Sequence, residues 1–213
     1  MTASRPRARF GATSLILLTA IAVAIGFFAG SRYFGAPAAV ATRTAVMYPA
    51  PRALPDFRLE QADGRPLTPA DWKGRWNLVF IGFTHCPDVC PNTLAVFKQV
   101  WNRLEAQGLA ARLRFDFVSV DPGRDSGARL AEYTGFFHKD FTAATGSDEE
   151  LTRFTRALGL VYARVPDDKG GYTVDHSASV VIVDPSGHVV GLFRPPFEAE
   201  AIAADLATLA GSR

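Results

Sequence analysis

The run of apolar and polar positions divides the chain into one long uncharged stretch followed by short strands and amphipathic helices. From Phe10 to Ser31 no charged residue occurs, and Leu15–Leu18 and Ile21–Ile25 make the stretch strongly apolar. As a helix rising ~1.5 Å per residue it would reach about 33 Å, enough for a hydrocarbon core of ~30 Å. Gly35, Pro37, Pro49 and Pro51 among alanines predict a linker over 32–52. The globular domain is expected over 53–213. It opens on an alternating edge strand, Pro55–Leu59, and a turn at Ala62–Pro66. Asn77–Phe83 reads as a buried strand, 92–107 as a helix stopped by Gly108, and Leu113–Val120 as a second strand. Helices are expected over 127–138 and 148–158, the latter capped by Ser147, with a short strand at Phe141–Ala144 between them. Tyr172–His176 reads as a loop leading into strand Ser179–Val183. The turn Asp184–Gly187 returns the chain along His188–Phe193, and 197–211 closes as a helix. Strands and helices in this order imply a mixed sheet with a parallel half, an antiparallel hairpin and helices on both faces. That is an α/β, thioredoxin-like fold behind an N-terminal transmembrane helix.

Composition and charge sharpen this in one respect. The chain has 213 residues, sixteen of them Phe, so a full core is within reach. Its formal charge of +2 comes from the N-terminus: residues 1–41 hold Arg5, Arg7, Arg9 and Arg32 and no acid. The remainder is slightly acidic, which argues against a nucleic-acid surface. Arginines before an apolar run keep that end in the cytoplasm. Residues 1–31 are therefore expected to form a single-pass anchor in the inner (cytoplasmic) membrane with a basic cytoplasmic flank, leaving the C-terminal domain in the periplasm. A cleaved signal peptide is the alternative, since small-residue sites follow at Ala36–Ala38 and Ala39–Ala41. The apolar run is longer than a usual signal core, which favours the anchor.

The chemistry is concentrated in the only two cysteines, Cys86 and Cys90, within Cys-Pro-Asp-Val-Cys-Pro at the mouth of the buried strand. Closing so short a ring would restrict the unfolded chain by only ~2 kcal/mol, so the pair is a poor staple. A helix N-terminus favours thiolate, and Cys90, beside Pro91, is the cysteine expected to feel it. Two adjacent thiolates repel, and a proton, a disulfide or a soft cation can relieve that. His176 is the expected third member, because the loop before the hairpin packs against the cysteine loop in a thioredoxin-like fold. An S₂N donor set suits copper or zinc and disfavours Mg²⁺ and Ca²⁺; zinc would want a fourth ligand. His85 ranks below His176, since its side chain should point away from Cys86. His138 and His188 read as surface residues. Asp88 can tune the thiols or stand in solvent, Asp121 and Asp125 can serve the site or the turn, and Asp175 can orient the His176 ring. A thiol peroxidase is disfavoured, because Thr84 lies only two residues before Cys86 and no arginine is clearly placed.

Gly82–Pro91, Ser119–Pro122 with Arg124 and Asp125, and Tyr172–Ser177 together resemble the Sco/SenC family of membrane-anchored copper proteins, over roughly residues 50–210. The resemblance implies one copper ion, Cu(I) or Cu(II), held by Cys86, Cys90 and His176. It implies work in assembling the binuclear copper centre of cytochrome c oxidase, with the copper-accepting oxidase subunit and other periplasmic copper carriers as partners. The competing reading is a periplasmic thiol–disulfide oxidoreductase whose redox-active pair is Cys86 and Cys90.

Overall fold

The computed structural model describes residues 12–34, 42–167 and 170–211. Arg5, Arg7, Arg9 and the small-residue sites at 36–41 lie outside them. The chain divides into two units, Met1–Ala39 and Val40–Arg213. In the first, helix α1 (Ala12–Phe34) coincides with the apolar run. No helix among the described residues is long and apolar enough to cross a membrane. The side chains described in α1 run from residue 16 to residue 30, roughly 22 Å of helix at ~1.5 Å per residue.

The second unit is built on an eight-stranded mixed sheet. Its strands are β1 (Val46–Ala53), β2 (Leu59–Gln61), β3 (Pro66–Leu67), β4 (Trp76–Gly82), β5 (Leu113–Ser119), β6 (Phe141–Thr145), β9 (Val180–Val183) and β10 (His188–Phe193), in spatial order β1-β10-β9-β4-β5-β6-β2-β3. Strands β4, β5 and β6 are parallel, and β9 and β10 form the antiparallel hairpin next to β4. Between β4 and β5 runs α2 (Val89–Ala106), between β5 and β6 runs α3 (Gly127–Phe137), and α4 (Asp148–Leu158) and α5 (Ala199–Gly211) follow. Two further strands, β7 (Tyr162–Pro166) and β8 (Tyr172–His176), pair only with each other, as a separate two-stranded sheet.

Strand alternation explains the layering. On β5, Phe115 and Phe117 face one side, where Phe115 meets Phe97 of α2 and Phe117 meets Tyr133 of α3, with ring centroids 5.2 and 5.5 Å apart. Asp116 faces the other side and accepts from Trp72 Nε1 at 3.0 Å. Trp72 packs on Phe57 and on Phe154 of α4, so α4 lies across the sheet from α2 and α3. Asp116 is fully buried but not alone: Arg114 Nε donates to it at 2.8 Å. Burial pushes its carboxyl up while Arg114 opposes that, and the net direction is up.

Several expectations need correction. Residues 46–52, expected in the linker, belong to β1, which pairs with β10 at the sheet edge. The segment before β1 is fastened by Asp205 of α5, whose carboxylate accepts from the backbone N–H groups of Arg43, Thr44 and Ala45 at 2.6, 2.8 and 2.9 Å. The strand expected at Pro55–Leu59 begins only at Leu59, and the loop expected at Tyr172–His176 is strand β8. His138 is largely covered, its ring against Trp101 and Phe141 with centroids 6.0 and 5.4 Å away.

Candidate metal centre

Strand β4 ends at Gly82, and the chain turns at once. The Cys86 N–H donates to the Phe83 carbonyl at 3.2 Å, and α2 begins at Val89 with Asp88 as its N-cap. The helix thus starts three residues earlier than its apolar spacing implied. That places Cys90 inside the first turn and Cys86 just off the helix end. The Cys90 N–H, one of the unpaired donors of a helix N-terminus, donates to Cys86 Sγ at 3.3 Å. The expected roles of the two cysteines are therefore exchanged. Cys86, half-buried, is the thiolate. Hydrogen bonding to Cys90 outweighs burial, and the backbone N–H groups of Cys90 and Asp88 add to this, bringing its pKa down to about 3. The same hydrogen bond to Cys86, with burial, pushes the Cys90 thiol up. Deprotonation of the pair is thus favoured at Cys86 over the more buried Cys90.

Cys90 Sγ sits in a space that exists because residue 82 is glycine. A Cβ there would lie 2.6 Å from Cys90 Sγ and 2.8 Å from Phe117 Cε2. Burial above all raises the phenol of Tyr133, on α3, which stays protonated.

His176 arrives from β8. Its Nδ1 lies 3.1 Å from the Ser177 carbonyl, which can only accept, so Nδ1 carries the proton. The Nε2 lone pair then faces Cys90 Sγ at 3.3 Å. The ring is held edge-on between Phe80 and Phe83, with centroids 5.8 and 6.1 Å away. Asp175 does not orient it, because successive strand residues face opposite ways and Asp175 is exposed. The ligand atoms of Cys86, Cys90 and His176 all lie within 4.8 Å of one another. Cys86 and His176 open onto a cleft of about 290 Å³ between the cysteine loop and β8, lined by Pro87, Asp88, Val89 and Asp175 among others, while Cys90 lies buried behind them. Two sulfurs and one imidazole nitrogen fit a soft ion in low coordination, with the fourth side left to the cleft.

His85, Asp121 and Asp125 form a second group of potential ligands within 4.8 Å, but their valences are already used. Buried Asp125 accepts from Thr84 N at 2.9 Å, Thr84 Oγ1 at 2.6 Å and Ser119 Oγ at 2.6 Å. Buried Asp121 accepts from Tyr172 Oη at 2.7 Å and from Arg124 Nε. A group that already pairs with a guanidinium is a hydrogen-bonded support, one of the two roles, site or turn, that the sequence left open for Asp121 and Asp125. His85 points into this network and away from the sulfurs, as expected. An arginine is also placed on Thr84, against expectation: Arg129 Nε donates to its Oγ1 at 2.7 Å.

A cysteine pair between a strand end and a helix N-terminus, faced by an imidazole from a separate hairpin, defines a thioredoxin-like domain with a thiolate–imidazole site. Residues 46–211 match the SCO1/SenC family, and the chain belongs to that family. The mouse protein SCO2 homolog, mitochondrial, is 38% identical over 133 residues, which are 62% of this chain and 52% of the relative. The chain thus matches about half the length of such mitochondrial relatives. Among solved structures, Bradyrhizobium japonicum ScoI with copper bound is 31% identical and superimposes with a TM-score of 0.67, covering 74% of this chain and 99% of that one. Apo Sco1 from Thermus thermophilus is 32% identical with a TM-score of 0.71, covering 81% and 99%.

Proposed function

We propose that this protein is a copper metallochaperone that binds one copper ion through Cys86, Cys90 and His176 and assists assembly of the binuclear copper centre of cytochrome c oxidase. The observation that carries the reading is the convergence of two sulfurs and an imidazole nitrogen whose tautomer leaves its lone pair toward them. The copper-bound ScoI structure supports the choice of ion. Soft sulfur ligands favour Cu(I). Cys86 is the more readily deprotonated sulfur, the pair releases its remaining proton on binding, and His176 is already in the required tautomer. The cleft beside the site leaves an approach for a partner's cysteine, so the ion leaves by ligand exchange. The copper-accepting oxidase subunit is the proposed recipient, with periplasmic copper carriers as the proposed donors. Residues 1–31 are proposed to anchor the chain in the inner membrane, confining donor and acceptor to one surface and raising their effective concentration.

A second reading is favoured by one observation. A half-exposed Cys86 thiolate beside the Cys90 thiol is also an attacking group for a partner disulfide. Anaerobic Cu(I) titration of the reduced chain against a chromophoric chelator, with His176→Ala alongside, separates the two. One-to-one binding that weakens by orders of magnitude in the variant, with dithiol exchange retained, supports the metallochaperone. Binding indifferent to His176 supports the oxidoreductase.

A further inference from the structure

The cysteines stand on the loop after β4 and in the first turn of α2, whereas the imidazole belongs to a hairpin that shares no ladder with the main sheet. Something must fix that hairpin's distance from the cysteine loop. On β8, residues 172, 174 and 176 share one face, and Val174 between them is buried. Tyr172 therefore anchors the face whose other end, ~13 Å along the strand, carries His176.

Tyr172 is held on three sides. Its hydroxyl donates to Asp121 Oδ1 at 2.7 Å, its carbonyl accepts from Arg124 Nη1 at 3.0 Å, and the Arg124 guanidinium lies 3.9 Å from its ring centroid. Arg124 is in turn paired with Asp121. Four residues on, in the same loop, Asp125 accepts both the N–H and the hydroxyl of Thr84, two residues before Cys86. The loop 121–125 thus grips the cysteine loop at one end and the histidine strand at the other.

We infer that Tyr172 and Arg124 are positioning residues for the metal site: they hold His176 Nε2 within 4.8 Å of the two sulfurs, close enough to share one ion, by clamping β8 to the loop that also holds Thr84. Neither touches the ion. The inference rests on the copper reading above and adds the device that brings the third ligand into register.

The test is a double-mutant cycle on the intact chain in detergent, read by Cu(I) affinity, with Tyr172→Phe, His176→Ala and the double variant. Tyr172→Phe removes one charge-assisted hydrogen bond and keeps the ring on Arg124, and is expected to lower affinity about tenfold. In the His176→Ala background the same change is expected to cost nothing, because the clamp acts through the imidazole. An equal loss in both backgrounds, or no loss in either, overturns the inference. Hydrogen exchange of the metal-free protein provides a reading independent of copper. The Ser177 amide, which donates to the Val161 carbonyl at 2.9 Å, should exchange faster in Tyr172→Phe while the amides of β9 stay unchanged. Unchanged exchange at Ser177 also overturns it. If His176→Ala itself leaves affinity intact, the functional reading falls, and the Ser177 amide alone then decides whether Tyr172 positions the strand.

Discussion

Gly82→Ala is the smallest change that should damage the site without touching a ligand. The new Cβ would lie 2.6 Å from Cys90 Sγ and 2.8 Å from Phe117 Cε2, against ~3.5–4.0 Å for an ordinary contact. Something must move by roughly 1 Å. Phe117 is fully buried against Phe80 and Tyr133 and has little room, so most of the displacement falls on Cys90. Overpacking of this kind costs about 1–3 kcal/mol of stability. The effect on binding should be separate and larger, because a metal–sulfur bond of ~2.3 Å does not absorb a shift of that size. Copper affinity is expected to fall about 10- to 100-fold, the range seen when support for a ligand is disturbed. The assay pairs a Cu(I) competition titration with urea unfolding, and Gly146→Ala is the control. There a Cβ would crowd Leu59 Cδ2 at 2.8 Å, in contact with none of the three ligands. It should lose stability and keep affinity. If Gly82→Ala binds copper like the wild type, or if Gly146→Ala loses affinity equally, the argument that glycine shapes the thiol pocket is refuted.

Two further predictions concern the scaffold. Arg114→Met should destabilise the domain by about 3–5 kcal/mol, because it strands the buried Asp116 carboxylate; a urea midpoint no lower than wild type would contradict this, and Asp116→Asn in the same chain should restore part of the loss. For Asp205, burial works against the charge, but the backbone N–H groups of Arg43, Thr44 and Ala45 outweigh it and hold the carboxyl below its ordinary 3.8. Its stabilisation is therefore fully present above that value and is lost as pH falls through the depressed folded-state pKa. Asp205→Asn should cost about 2 kcal/mol at pH 7, and the gap to wild type should narrow below pH 3.8; a gap that stays constant from pH 7 to pH 3 would place the stabilisation elsewhere.

What could be read from the chain was whatever is encoded locally. The apolar run of β4, the Ser147 cap, whose hydroxyl accepts from the Glu150 N–H at 3.2 Å, and the Asp184–Gly187 turn between β9 and β10 all carry their signal within a few residues. So does the cysteine pair. Features set by distant partners were missed. Strand β1 contains Pro49 and Pro51, which argue against a strand until β10 supplies the pairing, and it tolerates them because it lies at an edge. The β7–β8 hairpin has too little apolar content to show itself, since only Val174 among its residues is buried. The start of α2 was misplaced because apolar periodicity begins only at Leu94, whereas the helix begins at the N-cap, Asp88. That shift of one turn decides which sulfur receives an N–H from the helix N-terminus: Cys86, from Cys90. For Asp121 and Asp125 the sequence left site and turn both open, because their partners, Tyr172 and Thr84, lie 51 and 41 residues away.

The division of the proposed ligands between the cysteine loop and a separate hairpin bears on timing. A site built wholly on the eight-stranded sheet could open only by disrupting the core. Here two donors are fixed to that core and the third is mounted on a small hairpin, fastened by a few polar contacts and one buried valine. Opening the hairpin is a local event, with a free energy set by those contacts rather than by global stability. The residence time of a bound ion and the lifetime of the fold can therefore be tuned independently. A substitution in the clamp would change how long cargo is kept while leaving the melting temperature nearly where it was.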